Sequence, residues 1–283
     1  MIGDALVLPP GSKGAGARLQ IRHWPVAPPR AVVLLAHGLF EHAARYDHVA
    51  ARLNAAGLSV VALDHWGHGR SDGVRGFVPA FTVFLDGMDA LLDQVRAHYP
   101  HSPLLLLGHS MGGLIAVHHL LRHQASYAAA AVSGPAILPA APPSRLTIWI
   151  SRILSRIAPR LGVVTLDSGG VSRDAAVVAA YHADPLVHDG KIGARLAQQM
   201  FDAMAAARAN AGAITLPLLV QHGGADSLAA PAGGAYLHDH AGAQDKSLML
   251  YPDLFHEIYN EPEQAAVLDD LVRWFDAHLP AKV

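Results

Sequence analysis

The chain alternates between short, almost wholly apolar runs and longer stretches in which apolar residues recur every three or four positions. Residues 31–35 (AVVLL), 59–64, 104–107 (LLLL), 218–221 and 247–251 are of the first kind, and the Ala-rich run 128–132 is a weaker example. Runs this short and apolar fit strands covered on both faces, as in a parallel sheet. Residues 18–24 instead alternate and end at Pro25, which predicts an antiparallel edge strand. Helical spacing occupies 46–56, closing at Gly57, and 264–277 near the end of the chain. It also occupies 84–98, where Leu85, Met88, Leu91, Leu92 and Val95 share the inward side. Residues 9–16, rich in Pro and Gly, read as a loose arm. Strands alternating with helices imply a mostly parallel sheet with helices on both faces.

Residues 135–214 interrupt this alternation. Pro135, Pro139, Pro142 and Pro143 open the block, and helical spacing follows over 145–160 and 192–208. In the first of these helices Trp149, Ile150, Ile153, Leu154 and Ile157 form one face, and Arg152, Arg156 and Arg160 another. The plainer reading packs the apolar face on the core. The other presents it to a lipid aggregate, since arginine-flanked apolar helices suit anionic interfaces. The chain then divides into an α/β core, 1–134 with 215–283, and a helical cap, 135–214, inserted before the strand at 218.

The most informative junction is Leu104-Leu105-Leu106-Leu107-Gly108-His109-Ser110-Met111-Gly112-Gly113. A buried strand ends in Gly-x-Ser-x-Gly, and helical spacing resumes with Leu114, Ile115, Val117, Leu120 and Leu121. That is the context of a nucleophile elbow, a turn so tight that the residues two before and two after the serine must be small. A second match, Gly69-Arg70-Ser71-Asp72-Gly73, has neither the strand immediately before it nor the helix after it. Ser110 is the candidate nucleophile, and Ser71 belongs to a loop.

A serine hydroxyl needs a base, and the base needs an orienting acid. In this fold the chain order is Ser, acid, His. Asp226 lies just past the strand ending at Gln221, and His256 follows the last strand through Pro252-Asp253-Leu254-Phe255. Both places fall at the same sheet edge as Ser110. Asp226 also has the character of a turn or capping residue. Two N–H donors are needed for an oxyanion hole: Met111, next to the nucleophile, and Leu39, in the loop after the first buried strand. His37 reads as a brace for that loop, and His109 as a packed neighbour of the nucleophile.

Composition narrows the picture. At 283 residues, 52% hydrophobic and 16% charged with net charge −2, the chain can bury a substantial core and has no basic excess for nucleic acid. The absence of cysteine removes thiol catalysis, disulfides and thiolate metal sites. No metal or cofactor is expected. His119 and His123 are four apart without an intervening Glu or an evident third ligand, and His238 and His240 diverge. Gly108 to Gly113 lacks the lysine of a phosphate-binding loop. Residues 1–10 carry neither a basic region nor a long apolar core, and no uncharged apolar stretch reaches membrane-spanning length. The expectation is a cytoplasmic protein, peripheral to membranes if the cap touches lipid. Oligomeric state is left open.

Taken together, His37-Gly38 with Glu41-His42 and Arg45-Tyr46, the run Asp64 to Gly73, the elbow, Asp184-Pro185-Leu186, Gly234-Ala235-Tyr236, Gln244-Asp245-Lys246 and His256-Glu257 resemble the monoacylglycerol lipase and lysophospholipase group of α/β hydrolases. The resemblance implies the α/β-hydrolase fold, the triad Ser110, Asp226 and His256, and oxyanion donors Leu39 and Met111. It also implies an apolar acyl tunnel shaped by the cap, with Glu41, Arg45 and Tyr181 meeting a glycerol head. Tyr259 departs from the eukaryotic lipases of the group, where another histidine is expected. The implied activity is cleavage of monoacylglycerols to fatty acid and glycerol through an acyl-enzyme on Ser110, with a small lipid ester as partner. A lysophospholipase or a short-to-medium-chain carboxylesterase is the nearest alternative. A non-catalytic binding protein of the same fold should lack a triad member, and here all three are present.

Overall fold

The computed structural model describes residues 2–141 and 144–280. Pro142 and Pro143, expected to help open the inserted block, lie outside the described residues. In chain order the strands are β1 (Ala5–Val7), β2 (Arg18–Trp24), β3 (Ala31–Ala36), β4 (Leu58–Leu63), β5 (Leu104–His109), β6 (Ala129–Ser133), β7 (Gly162–Val164), β8 (Ile192–Gly193), β9 (Leu218–Gly223) and β10 (Lys246–Tyr251). The helices are α1 (Asp47–Ala55), α2 (Thr82–His98), α3 (Met111–His123), α4 (Arg145–Ile157), α5 (Ala175–Ala183), α6 (Ala194–Asn210), α7 (Pro231–His240) and α8 (Gln264–Ala277).

Eight strands form one sheet in the order β1-β2-β4-β3-β5-β6-β9-β10. From β4 to β10 every pairing is parallel, while β2 runs antiparallel to β4 and β1 antiparallel to β2. Period-two alternation divides the apolar strand residues between two cores. Val32, Leu34, Leu106 and Val220 face α2, α3 and α6, where Met88, Leu91, Leu114 and Met204 wait. Val33, Leu35, Leu105 and Leu107 face α1 and α8, with Val49, Leu53, Leu271 and Phe275. Each such fully buried aliphatic side chain contributes about 1.5–3 kcal/mol over exposure, which is why nearly unbroken apolar runs select this doubly covered sheet.

Three expectations are corrected. The strand 18–24 is not an edge, because β1 pairs outside it. Residues 9–16 are not a loose arm: they turn between β1 and β2, with Ser12 Oγ donating to Asp86 at 2.6 Å and Leu8 N to Ala17 O at 2.9 Å. The third concerns α4, whose apolar face is split: Ile150 and Leu154 line the cavity described below, while the rest of the face turns outward. Leu146, Trp149 and Ile157 are 63%, 60% and 74% exposed, whereas Ser151 and Ser155 are buried. The small serines suit the approach to α6, where Ser151 Oγ donates to Gln198 Oε1 at 2.7 Å and Arg195 reaches the Ser155 carbonyl. Helical periodicity marks a face but not which side of it is wet.

Between β6 and β9 the chain runs through α4, β7, α5, β8 and α6 before re-entering the sheet. The parallel register aligns the carboxyl ends of β3, β5, β6 and β9. The loops carrying Leu39, Ser110, Asp226 and His256 therefore open on one edge, where ligands bind in sheets of this kind. No helix among the described residues is long and apolar enough to cross a membrane.

Candidate active site

Ser110 sits between β5 and α3 with φ 54° and ψ −118°, a conformation that costs a non-glycine residue about 1–3 kcal/mol. Neighbouring bonds hold it there: Ser110 N donates to Ser133 O at 2.9 Å, and Ser110 O accepts from Ala136 N and Leu114 N at 3.0 and 3.1 Å. The flanking glycines are sterically required. A Cβ on Gly112 would strike the Ala36 carbonyl, and one on Gly108 would strike Gly112 O. Ser71, the serine of the second Gly-x-Ser-x-Gly, sits in a loop, where its Oγ donates to Asp64 O and accepts from Gln20 N.

The structure brings the three expected residues into one line. Ser110 Oγ lies 2.8 Å from His256 Nε2, and His256 Nδ1 lies 2.6 Å from Asp226 Oδ2. Asp226 Oδ1 accepts the Leu228 and Ala229 amides at 2.8 and 2.9 Å, so the aspartate is a turn cap as well as an orienting acid. Burial alone would raise its pKa, but donors from His222, His256 and Ala229 hold it well below the usual carboxylate range. Burial alone would lower the His256 pKa. The Asp226 hydrogen bond and charge, with the Glu257 and Glu41 carboxylates, outweigh this and hold it above the ordinary 6.5.

His109 is packed beside this line, its ring centroid 4.9 Å from that of His256 and its Nδ1 3.2 Å from Ser133 Oγ. Burial pushes its pKa down to about 3, so it is neutral. His37 braces the loop after β3: Nδ1–H donates to Gly38 O at 2.8 Å, and Nε2 accepts the His65 amide at 3.0 Å. In that loop Phe40 is, beside Ser110, the other non-glycine residue with left-handed φ among the described residues, at 68°. Met111 is the first residue of α3, so its amide has no acceptor within the helix and points with the positive helix end.

Glu41 and Tyr181 line the cavity above Ser110, and Arg45 stands behind them. Its guanidinium meets Glu257 with two bonds of 2.7 Å and Glu41 Oε2 at 2.8 Å, and stacks 4.7 Å from the Tyr181 ring centroid. Glu41 Oε1 also accepts from Gly38 N at 2.6 Å and Tyr46 OH at 2.7 Å. Glu41, Arg45, Glu257 and Tyr181 thus form a connected network tied to the loop after β3. Burial and the Glu257 charge raise the Glu41 pKa against the pull of Arg45. Burial would raise Glu257 too, but its two-bonded contact with Arg45 brings it down.

Two participants escaped the reading of the sequence. His222 donates Nε2–H to Asp226 Oδ2 at 3.1 Å, and Glu257 both anchors Arg45 and lines the cavity beside His256. His222 stands four residues before Asp226 at the end of β9, and Glu257 directly follows His256; their proximity in the chain was the available signal.

Above Ser110 opens a cavity of about 750 Å3, walled by Leu138, Leu154, Val163, Leu166, Met200, Phe201 and Met204. This volume lies within the range of small-molecule sites, about 300–1,000 Å3. Most of its lining residues fall between Ala136 and Met204, on α4, β7, α6 and the loops that join them.

A family profile described as serine aminopeptidase, S33, matches residues 27–263. The chain belongs to this family. This S33 protein is similar to a monoacylglycerol lipase of Mycolicibacterium smegmatis, 43% identical over 93% of this chain and 95% of that one. It is similar to the human monoglyceride lipase, 33% identical over 92% of this chain and 87% of that one. Among solved structures it resembles the monoacylglycerol lipase of Paleococcus ferrophilus, with TM-score 0.84 and 30% identity, covering 92% of this chain and 99% of that one. The S33 protein has the α/β-hydrolase fold these relatives share.

Proposed function

We propose that this protein hydrolyses monoacylglycerols to fatty acid and glycerol. The observation that carries this reading is the Asp226–His256–Ser110 line at the floor of a large apolar cavity, with bond lengths of 2.6 and 2.8 Å. The similarity to monoacylglycerol lipases over nearly the whole chain supports it.

In this mechanism His256 Nε2 takes the Ser110 proton as Oγ adds to the ester carbonyl. The Leu39 and Met111 amides hold the oxyanion. Collapse of the tetrahedral species breaks the bond to the alkoxy oxygen, and His256 gives its proton to the departing glycerol. Water then adds to the acyl-serine by the same relay, releasing the fatty acid and restoring Ser110. Asp226 keeps Nδ1 protonated and stabilises the imidazolium throughout.

The head wall favours glycerol over a phosphodiester. Glu41 and Glu257 present carboxylates beside Ser110, and Arg45's charge is already taken up by them. Glycerol hydroxyls can donate to such acceptors, whereas a phosphate finds like charge. We assign residues 135–214 as the cap over the core 1–134 and 215–283. We also assign the outward apolar face of α4 to transient contact with the membrane or micelle that holds the substrate. Leu161, Val163 and Val164 extend the exposed face, and Arg152, Arg156 and Arg160 flank it. The cytoplasmic location expected from the sequence belongs to the same proposal, as a peripheral one.

The test is fatty-acid release from monoacylglycerols of increasing chain length. Diacylglycerol, lysophosphatidylcholine and short p-nitrophenyl esters run beside them, with Ser110→Ala as blank. Preference for medium or long monoacylglycerols supports the reading. Activity confined to short esters would make this a general carboxylesterase, and preference for lysophosphatidylcholine a lysophospholipase.

A further inference from the structure

His119 and His123 lie one turn apart on α3, and the fold supplies the third partner that their spacing in the chain lacks. Asp89 of α2 faces them, and one ring nitrogen of each histidine and a carboxylate oxygen of Asp89 all lie within 4.8 Å of one another. Asp89 Oδ1 is 2.9 Å from His119 Nδ1 and 3.2 Å from His123 Nε2. A tetrahedral zinc with bonds of about 2.0–2.1 Å spaces its ligand atoms about 3.3 Å apart, so small side-chain rotations suffice to admit an ion.

The surroundings are built as a metal site's outer shell is built. His119 is buried, and its other nitrogen, Nε2, lies 2.7 Å from Tyr127 OH. That contact can fix the tautomer that leaves Nδ1 free to bind. Arg122 Nη1 holds the second Asp89 oxygen at 3.0 Å, which keeps the carboxylate single-toothed toward the histidines. His123 and Asp89 are half-buried, so an ion can enter from solvent and keep a water as fourth ligand. The ion-free arrangement is also coherent: both imidazoles donate to one Asp89 oxygen, and a proton stands where the metal would.

We propose that Asp89, His119 and His123 form a structural site for a late first-row divalent cation, zinc above all, that clips α2 to α3. Two imidazoles and one carboxylate suit zinc, cobalt and nickel rather than magnesium or calcium. His119 lies nine residues along α3 from Ser110, about 13 Å at the helical rise. The ion therefore stabilises the helix behind the nucleophile and takes no part in ester cleavage.

Native protein is titrated with Zn2+ by calorimetry and with Co2+ by visible absorption, alongside His123→Ala and Asp89→Asn. His238→Ala serves as control for other surface histidines. The site predicts one saturable Zn2+, the visible bands of four-coordinate cobalt and a raised Tm in the native protein and the control. Both ligand variants should weaken binding by at least about tenfold and lose the bands. Cobalt bands that persist in folded His123→Ala, or native protein without saturable binding, would overturn the proposal.

Discussion

His222 Nε2 lies 3.1 Å from Asp226 Oδ2, the same oxygen that His256 Nδ1 approaches to 2.6 Å. Both histidines must donate there, since a carboxylate only accepts. The Ala229 carbonyl, 3.2 Å from His222 Nε2, shares that hydrogen and requires the same tautomer. His222 acts on the reaction through Asp226, as a positioning residue. Its replacement by alanine should lower kcat about tenfold with KM unchanged, the order expected for one hydrogen bond to a charged group. His222→Gln, which can still donate, should recover most of the loss. Steady-state kinetics on variants checked by thermal melting test this.

The pH dependence has a definite sign. His256 must be neutral to take the Ser110 proton, and its pKa is held above 6.5. Activity should therefore fall as pH drops through that raised value, placing the acid limb of kcat/KM above pH 6.5. The Glu257 charge helps to raise the value, so Glu257→Gln should move the limb to lower pH. A pH–rate profile of both proteins reads the shift directly.

Strain at the elbow gives a prediction in which stability and activity part. Ser110→Gly removes the cost of φ 54° and should stabilise the protein by about 1 kcal/mol in urea unfolding. The same change should reduce turnover by about 10^4-fold or more. Gly112→Ala should do the opposite to stability, because its methyl meets the Ala36 carbonyl.

The outward face of α4 makes a different prediction. Trp149→Ser with Ile157→Ser should leave Tm and hydrolysis of soluble esters unchanged, since both side chains are exposed. Partition onto anionic vesicles should fall about tenfold or more, the order expected from removing two large apolar side chains from an interface. Co-sedimentation of both proteins with vesicles measures this.

These features were unequally legible in the sequence. The sheet strands β3, β4, β5 and β9 stood out because burial on both faces leaves unbroken apolar runs, whereas β10, which reads the same way, is a half-exposed edge strand. The elbow at Ser110 was legible because its chemistry is local: strand, two glycines and helix within a few residues. Asp226 and His256 followed from chain order and their place after strands. The three-residue β1 and β7 and the two-residue β8 were too short to form a pattern. The facing of α4 was not legible, because its serines and its apolar row are both periodic and only packing on α6 decides which is buried. The pairing of Arg45 with Glu257 joins residues 212 positions apart, and neither residue's place in the chain points to the other.

The most direct measurement is covalent labelling of the intact protein by a fluorophosphonate, followed by peptide mapping. One adduct on the peptide carrying Ser110, absent from Ser110→Ala and strongly slowed in His256→Ala, is the predicted result. No adduct, or an adduct carried by Ser71 or any other serine, would contradict the assignment of Ser110 as the nucleophile.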